Sequence, residues 1–151
     1  LMFLFSLTEV VSKIRAFVFS SHLGEVTDEF KDSNLEVAID SALSRYGGGS
    51  TDYAHAFSDF VSQCLDDIDK KTTVIILGDA RNNFGPEKGE LLKSVYERSK
   101  QVYWLNPEGK YRWNTGDSVM NTYSAYCTKV FECGTIEQLE KVISTLLKTA
   151  I

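Results

Sequence analysis

Proline and cysteine are scarce in this sequence: 151 residues hold two prolines and three cysteines. Cys64, Cys127 and Cys133 are odd in number, and none stands in a Cys-x-x-Cys pair. That excludes a disulfide framework and the common metal or redox cysteine motifs. The plain reading is three small buried hydrophobes in a reducing compartment, hence a cytoplasmic protein. Basic clusters are also lacking. Sixteen Lys and Arg stand against 21 Asp and Glu, for a net charge of −5. A chain that holds phosphate backbones gathers its cations, and here they are scattered, so nucleic acid is not an expected partner. No apolar run reaches the roughly 20 residues of a membrane span. The N-terminal stretch Leu1-Met-Phe-Leu-Phe-Ser-Leu7 is short and lacks the basic flank and cleavage site of a signal peptide. It reads instead as part of a helix, residues 1–12, apolar on all sides and so buried. The chain opens on Leu1 rather than Met, which raises the expectation that it is N-terminally incomplete.

What remains is the composition of an ordinary folded domain. With 43% apolar and 25% charged residues, residues 1–151 suffice for one domain with a sizeable core. No repeat, linker or low-complexity segment interrupts them.

Residues 15–20, Arg-Ala-Phe-Val-Phe-Ser, are rich in aromatic and β-branched types and predict a strand. Residues 24–30 fit a short edge strand. Asp32 or Ser33 caps a helix whose apolar positions Leu35, Val37, Ala38, Ile39, Ala42 and Leu43 recur at helical spacing, and Gly47-Gly-Gly49 ends it. Asp52 caps the next helix, with Ala56, Phe57, Phe60 and Val61 on one stripe. Thr72-Thr-Val-Ile-Ile-Leu-Gly78-Asp79 has no alternation, which predicts a strand covered on both faces. Pro86 opens a helix to Lys100, and residues 101–106 form a strand stopped by Pro107. A polar loop through Trp113 leads to a helix over residues 117–126, a strand over 129–132, and a last helix capped by Thr135. Strands alternating with helices imply an α/β fold: a three-layer, Rossmann-like, mostly parallel sheet with helices on both faces.

In such sheets ligands bind beyond the carboxyl ends of the strands. Two stretches point there. One is Gly47-Gly-Gly-Ser-Thr51-Asp52, and the other is Gly78-Asp79-Ala-Arg-Asn82-Asn83. Each has a plain structural reading: glycines that end a helix, Asp52 as a cap, and Asp79 as a turn residue. The functional reading is a hydroxyl and a carboxylate aimed at a hard cation such as Mg2+. No Lys follows the glycines, so they are not a P-loop. His22 reads as a surface loop residue and His55 as a packing or capping residue, with no Ser or Cys nucleophile visibly paired to it. Tyr111 and Trp113 read as exposed anchors for a partner.

The order and spacing of Gly47-Gly-Gly-Ser-Thr51-Asp52, Val74-Ile-Ile-Leu-Gly-Asp79, Val102-Tyr-Trp-Leu-Asn-Pro107 and Trp113-Asn-Thr-Gly-Asp117-Ser resemble the CoxE-like group of von Willebrand factor A (VWA) domains. The resemblance implies a binding module rather than an enzyme. It implies a metal-ion-dependent adhesion site (MIDAS) in which Thr51 and Asp79 are ligands for Mg2+ or Mn2+. It also implies a MoxR-type AAA+ ATPase and a target protein as partners, in metalloenzyme maturation or complex remodelling. The Asp-x-Ser-x-Ser loop of the MIDAS has no counterpart here, and neither has the first strand, so metal binding is expected to be weak or absent. Asn82, Asn83 and Trp113 are the expected partner-binding residues. The alternative is a Mg2+-dependent Rossmann-like hydrolase or phosphoryl-transfer enzyme using Asp79, although no nucleophile, base or phosphate-holding Lys accompanies that residue.

The absent first strand carries its own expectation. It belongs between residues 15–20 and 73–78. Either these two strands close up and pair directly, or a segment of another chain fills the gap. The exposed apolar edge favours dimerisation.

Overall fold

The computed structural model describes residues 13–32 and 34–150. The helix expected over residues 1–12 lies outside them. The order is β1 (Phe17–Phe19), β2 (Leu23–Glu25), α1 (Thr27–Asp32), α2 (Leu35–Tyr46), α3 (Tyr53–Cys64), β3 (Thr73–Leu77), α4 (Gly89–Arg98), β4 (Gln101–Asn106), α5 (Met120–Ser124), β5 (Lys129–Glu132) and α6 (Ile136–Ala150). The strands form two sheets. One is an antiparallel β1–β2 ribbon, and the other is a parallel sheet in the order β3–β4–β5.

The parallel sheet is the middle layer of an α/β fold, as expected. Its central strand is β4, in which Val102, Tyr103, Trp104, Leu105 and Asn106 are all buried. Side chains alternate along it. Val102 and Trp104 join Tyr53, Phe57, Leu92, Val95 and Tyr123 in a core under α3, α4 and α5. Tyr103 and Leu105 join Val142 and Leu146 of α6 on the other face. The aromatic seam is dense, with Trp104 stacked on Tyr123 at 5.2 Å between centroids. A third, smaller core of Ala16, Val26, Ala38 and Ala42 lies where the ribbon meets α2.

Several local expectations are corrected. β3 meets a core on each face, Val74 and Ile76 on one side and Ile75 on the other, but less deeply than expected: its central residues are half-buried and Thr73 and Leu77 are exposed, because it is an edge of the parallel sheet. Residues 24–30 divide into the end of β2 and the helix α1. The cap of α2 is Asn34, whose side chain accepts the Val37 N–H at 3.0 Å, not Asp32 or Ser33. α4 starts at Gly89, three residues after Pro86, because residues 82–85 form a turn closed by the Gly85 N–H on the Asn82 carbonyl. α5 is shorter than expected at both ends. Asp117 and Ser118 instead reach back to the loop after β3. Asp52 caps α3 and Thr135 caps α6 as predicted.

Direct pairing of the two strands flanking the gap does not occur. β1 and β3 point the same way, since the end of β1 binds Asp52, through its N–H on the Ser20 carbonyl at 3.0 Å, and the end of β3 meets Tyr53. Among the described residues no strand lies between them. A cleft of about 510 Å3 separates them, lined by β1, β3 and the aromatic face of α3. The spacing has a physical cause. α3 spans both sheets, with Phe60 edge-on to Phe17 at 5.5 Å and Tyr53 against Phe19 at 5.2 Å. Those ring contacts hold β1 away from β3.

The backbone facing the cleft follows from the pairing pattern. The Val26 N–H donates to the Ala16 carbonyl and the Ser20 N–H to the His22 carbonyl. By the alternation of an antiparallel ladder, the polar groups of Phe17 and Phe19 point away from β2. In β3 the Gly78 N–H donates to the Leu105 carbonyl and the Thr72 carbonyl accepts from Lys100. The groups of Ile75 and Leu77 therefore point away from β4, towards the cleft.

Candidate functional site

The loop after β3 carries the strongest backbone signal in the protein. Ala80, Asn83 and Phe84 all have positive φ, at 58°, 53° and 58°. Left-handed backbone at a residue with a side chain costs of order 1–3 kcal/mol and persists only where the surroundings impose it. Here they do. Tyr53, the first residue of α3, is buried with its hydroxyl inside the loop. It receives the Ala80 N–H at 3.1 Å and lies 3.3 Å from Asp79 Oδ1. Burial, with the Asp79 carboxylate second, pushes its phenol above the ordinary range, so it stays protonated. Gly78 is required by this arrangement, because a Cβ there would lie 2.1 Å from the Tyr53 hydroxyl. On the other side the Asp79 carbonyl accepts from Asn106 Nδ2 at 3.2 Å and from Ser118 Oγ at 3.4 Å.

Arg81 closes the loop from outside. Its Nε and Nη2 donate to both oxygens of Glu108, at 3.1 and 2.8 Å, and its Nη1 donates to Asp117 Oδ1 at 2.9 Å. The guanidinium holds the Asp117 carboxyl below its ordinary range. The other oxygen of Asp117 accepts the Asn83 N–H at 3.1 Å. Arg81 is thus committed to two carboxylates and does not serve as an anion receptor.

The structure brings Thr51 and Asp79 to one edge. Both line the mouth of the cleft, and Asn83 Nδ2 donates to the Thr51 carbonyl at 2.9 Å, tying the glycine loop to the loop after β3. Both residues are half-buried. Asp79 Oδ1 accepts the Arg81 N–H at 3.0 Å, while its second oxygen has no partner among the described residues. A hydroxyl, a carboxylate oxygen and water are donors that suit Mg2+. The two residues therefore fit the ion as part of its ligand set. Of the expected partner-binding residues, Asn83 is exposed. Asn82 is buried at 5% exposure, its amide donating to the Gly85 carbonyl and its Oδ1 unpartnered. Trp113 is half-buried, packed on the main core with its indole N–H on the Glu108 carbonyl at 2.9 Å. The exposed aromatics of this region are Tyr111 and Phe84, at 84% and 83%. Phe84 went unnoticed in the sequence, where nothing marks a left-handed phenylalanine.

Among the described residues no His, Cys or Lys hydrogen-bonds to Asp79. His55 instead faces Asp59, with Nε2 3.6 Å from Oδ1. All three thiols are shifted upward by burial, Cys127 to about 12. No described helix is long and apolar enough to cross a membrane.

Comparison with curated proteins and with solved structures gives no match. The family model for VWA domain containing CoxE-like protein matches residues 1–142. Val102-Tyr-Trp-Leu-Asn-Pro107 and Trp113-Asn-Thr-Gly-Asp117-Ser are the stretches that supply Asn106, Asp117 and Ser118 to the loop after β3. With most of its length matched, this chain belongs to the CoxE-like family of VWA domains.

Proposed function

We propose that this chain is a protein-interaction module of VWA/CoxE type. It acts in the cytoplasm with a MoxR-type AAA+ ATPase and a target protein, in metalloenzyme maturation or complex remodelling. Thr51 and Asp79 are its contribution to a MIDAS-like Mg2+ site. The observation that carries this reading is the link from Asn83 to the Thr51 carbonyl, which joins the two loops beside a carboxylate with one free oxygen. Asn83 and Phe84 supply exposed polar and aromatic surface on the loop after β3, and Tyr111 adds an exposed ring on the loop after β4. Asn82 and Trp113 support that surface from behind.

A Mg2+ ion bound here would offer a coordination position to a partner's carboxylate. With two side-chain ligands from this chain, the ion is held weakly. Titration calorimetry should give no tight stoichiometric heat with Mg2+ or Mn2+. Tight 1:1 binding abolished by Asp79→Ala would mean that the ligand set is larger than Thr51 and Asp79. Capture of the ATPase by the wild-type chain, lost in an Asn83→Ala/Phe84→Ala/Tyr111→Ala variant, tests the docking face. Undiminished capture would place the partner elsewhere. Turnover of phosphate esters that Asp79→Ala abolishes would favour the hydrolase reading instead.

A further inference from the structure

The chain has two histidines, and the fold puts them in contact. His22 lies in the turn between β1 and β2, and His55 in the first turn of α3. Their rings meet edge-to-face with centroids 4.5 Å apart. Asp59, one turn after His55 on the same helix face, lies beside both rings. Its Oδ1 is 3.6 Å from His55 Nε2 and its Oδ2 is 3.9 Å from His22 Nδ1.

We propose that His22, His55 and Asp59 form a binding site for a divalent first-row transition-metal ion of the Zn2+ class, separate from the Thr51–Asp79 site. One ligand atom from each residue lies within 4.8 Å of the others. Tetrahedral zinc with bonds of about 2.0–2.1 Å sets neighbouring ligands roughly 3.4 Å apart. The three atoms are therefore near coordination spacing, and side-chain rotation closes the difference. The two imidazoles have the freedom to rotate, being 70% and 45% exposed. The carboxylate is the fixed member, at 25% exposure with the Leu23 N–H donating to Oδ2 at 3.1 Å. An outer hydrogen bond of this kind orients a ligand and raises affinity.

The donor set determines the metal. Two nitrogens and one carboxylate suit Zn2+, Ni2+ or Cu2+, whereas Mg2+ prefers oxygen throughout. Three protein ligands leave at least one position open, and the exposed imidazoles place it at the protein surface. The residues also explain why the site was not legible in the sequence. His22 and His55 belong to different elements, and only the docking of the β1–β2 turn on α3 joins them.

Zn2+ titrated into the folded chain, followed by calorimetry and by the visible absorption of Co2+ as a substitute, tests the site. The expected result is 1:1 binding, with Co2+ giving a low-coordinate spectrum. His22→Ala, His55→Ala and Asp59→Asn should each weaken binding by about tenfold or more, while Asp79→Ala leaves it unchanged. Circular dichroism on each variant confirms the fold. Asp59→Asn keeps an acceptor for the Leu23 N–H, so its loss of affinity reports the charge. Absence of 1:1 binding, or binding that survives both histidine variants, overturns the proposal. The outcome is independent of Mg2+ or ATPase binding at the other site.

Discussion

Phe84 combines left-handed backbone with an exposed aromatic ring, with φ at 58° and 83% exposure. An aromatic side chain gains nothing from that setting in the isolated chain. Phe84→Gly should therefore raise stability by about 1 kcal/mol, read as a higher denaturant midpoint, since left-handed backbone costs an L-residue roughly 1–2 kcal/mol. The same change should weaken ATPase capture, if the ring is held out for a partner. A stability gain with unchanged capture would mean that the strain has no role in binding. The thiols behave in the opposite way, as groups withdrawn from chemistry. With burial raising all three, and Cys127 to about 12, the native chain should react slowly with a thiol reagent at pH 8. Three fast equivalents should appear only after unfolding.

α3 is the element on which the site depends. Its first residue supplies the Tyr53 hydroxyl, its cap is Asp52, and Thr51 precedes it. Tyr53→Phe keeps the packing but leaves the fully buried Ala80 N–H without an acceptor. The expected cost is about 1–3 kcal/mol in urea denaturation, the price of an orphaned buried donor. A smaller effect would mean that the loop relaxes its left-handed turn. Much of this element was legible beforehand. Asp52 read as a cap, the Phe57–Phe60–Val61 stripe read as its buried face, and Thr51 and Asp79 read as residues at element ends on one sheet edge. The inward turn of Asn82 was not legible, because it depends on a left-handed loop built around a tyrosine from another element. The helix over residues 117–126 was misread for a related reason. Asp117 and Ser118 are good helix-start residues locally, but they are recruited by Asn83 and Asp79 across the fold.

At the scale of the molecule, the sequence conveyed the alternation of strands and helices and the place of the gap, but not the gap's width. That width is set by aromatic contacts between α3 and β1, which no local pattern encodes. Edges on β1 and β3 that no strand covers among the described residues favour self-association, so light scattering should show a mass that rises with concentration. A strictly monomeric species at high concentration would refute this. The ribbon is also held by Arg15, which pairs with Glu25 at 2.9 Å and with Asp67 at 2.9 Å. The Arg15 hydrogen bond lowers the Glu25 carboxyl to about 2. A depressed carboxylate stabilises the fold above its ordinary range and loses that contribution as pH falls towards about 2. Acid should therefore loosen the ribbon before the parallel sheet. Ribbon resonances that hold as firmly as those of β4 at low pH would contradict this.

The cleft divides more than space. A continuous sheet transmits cooperativity through its ladder, so that all strands open together. Here, among the described residues, the ribbon with its small Ala16–Val26–Ala38 core and the parallel sheet share no backbone ladder, and they are bridged by α3 and by Ile14 packed on the Tyr103–Leu105 core. Segments that share no ladder open with separate free energies. Amide hydrogen exchange should then resolve two populations. The β4 amides should exchange only through the deepest opening, while those of Phe17, Phe19, Ile75 and Leu77 exchange at rates near those of a solvated chain. Any strand that came to lie in the cleft would bring these four amides into the slow class and fuse the two populations into one.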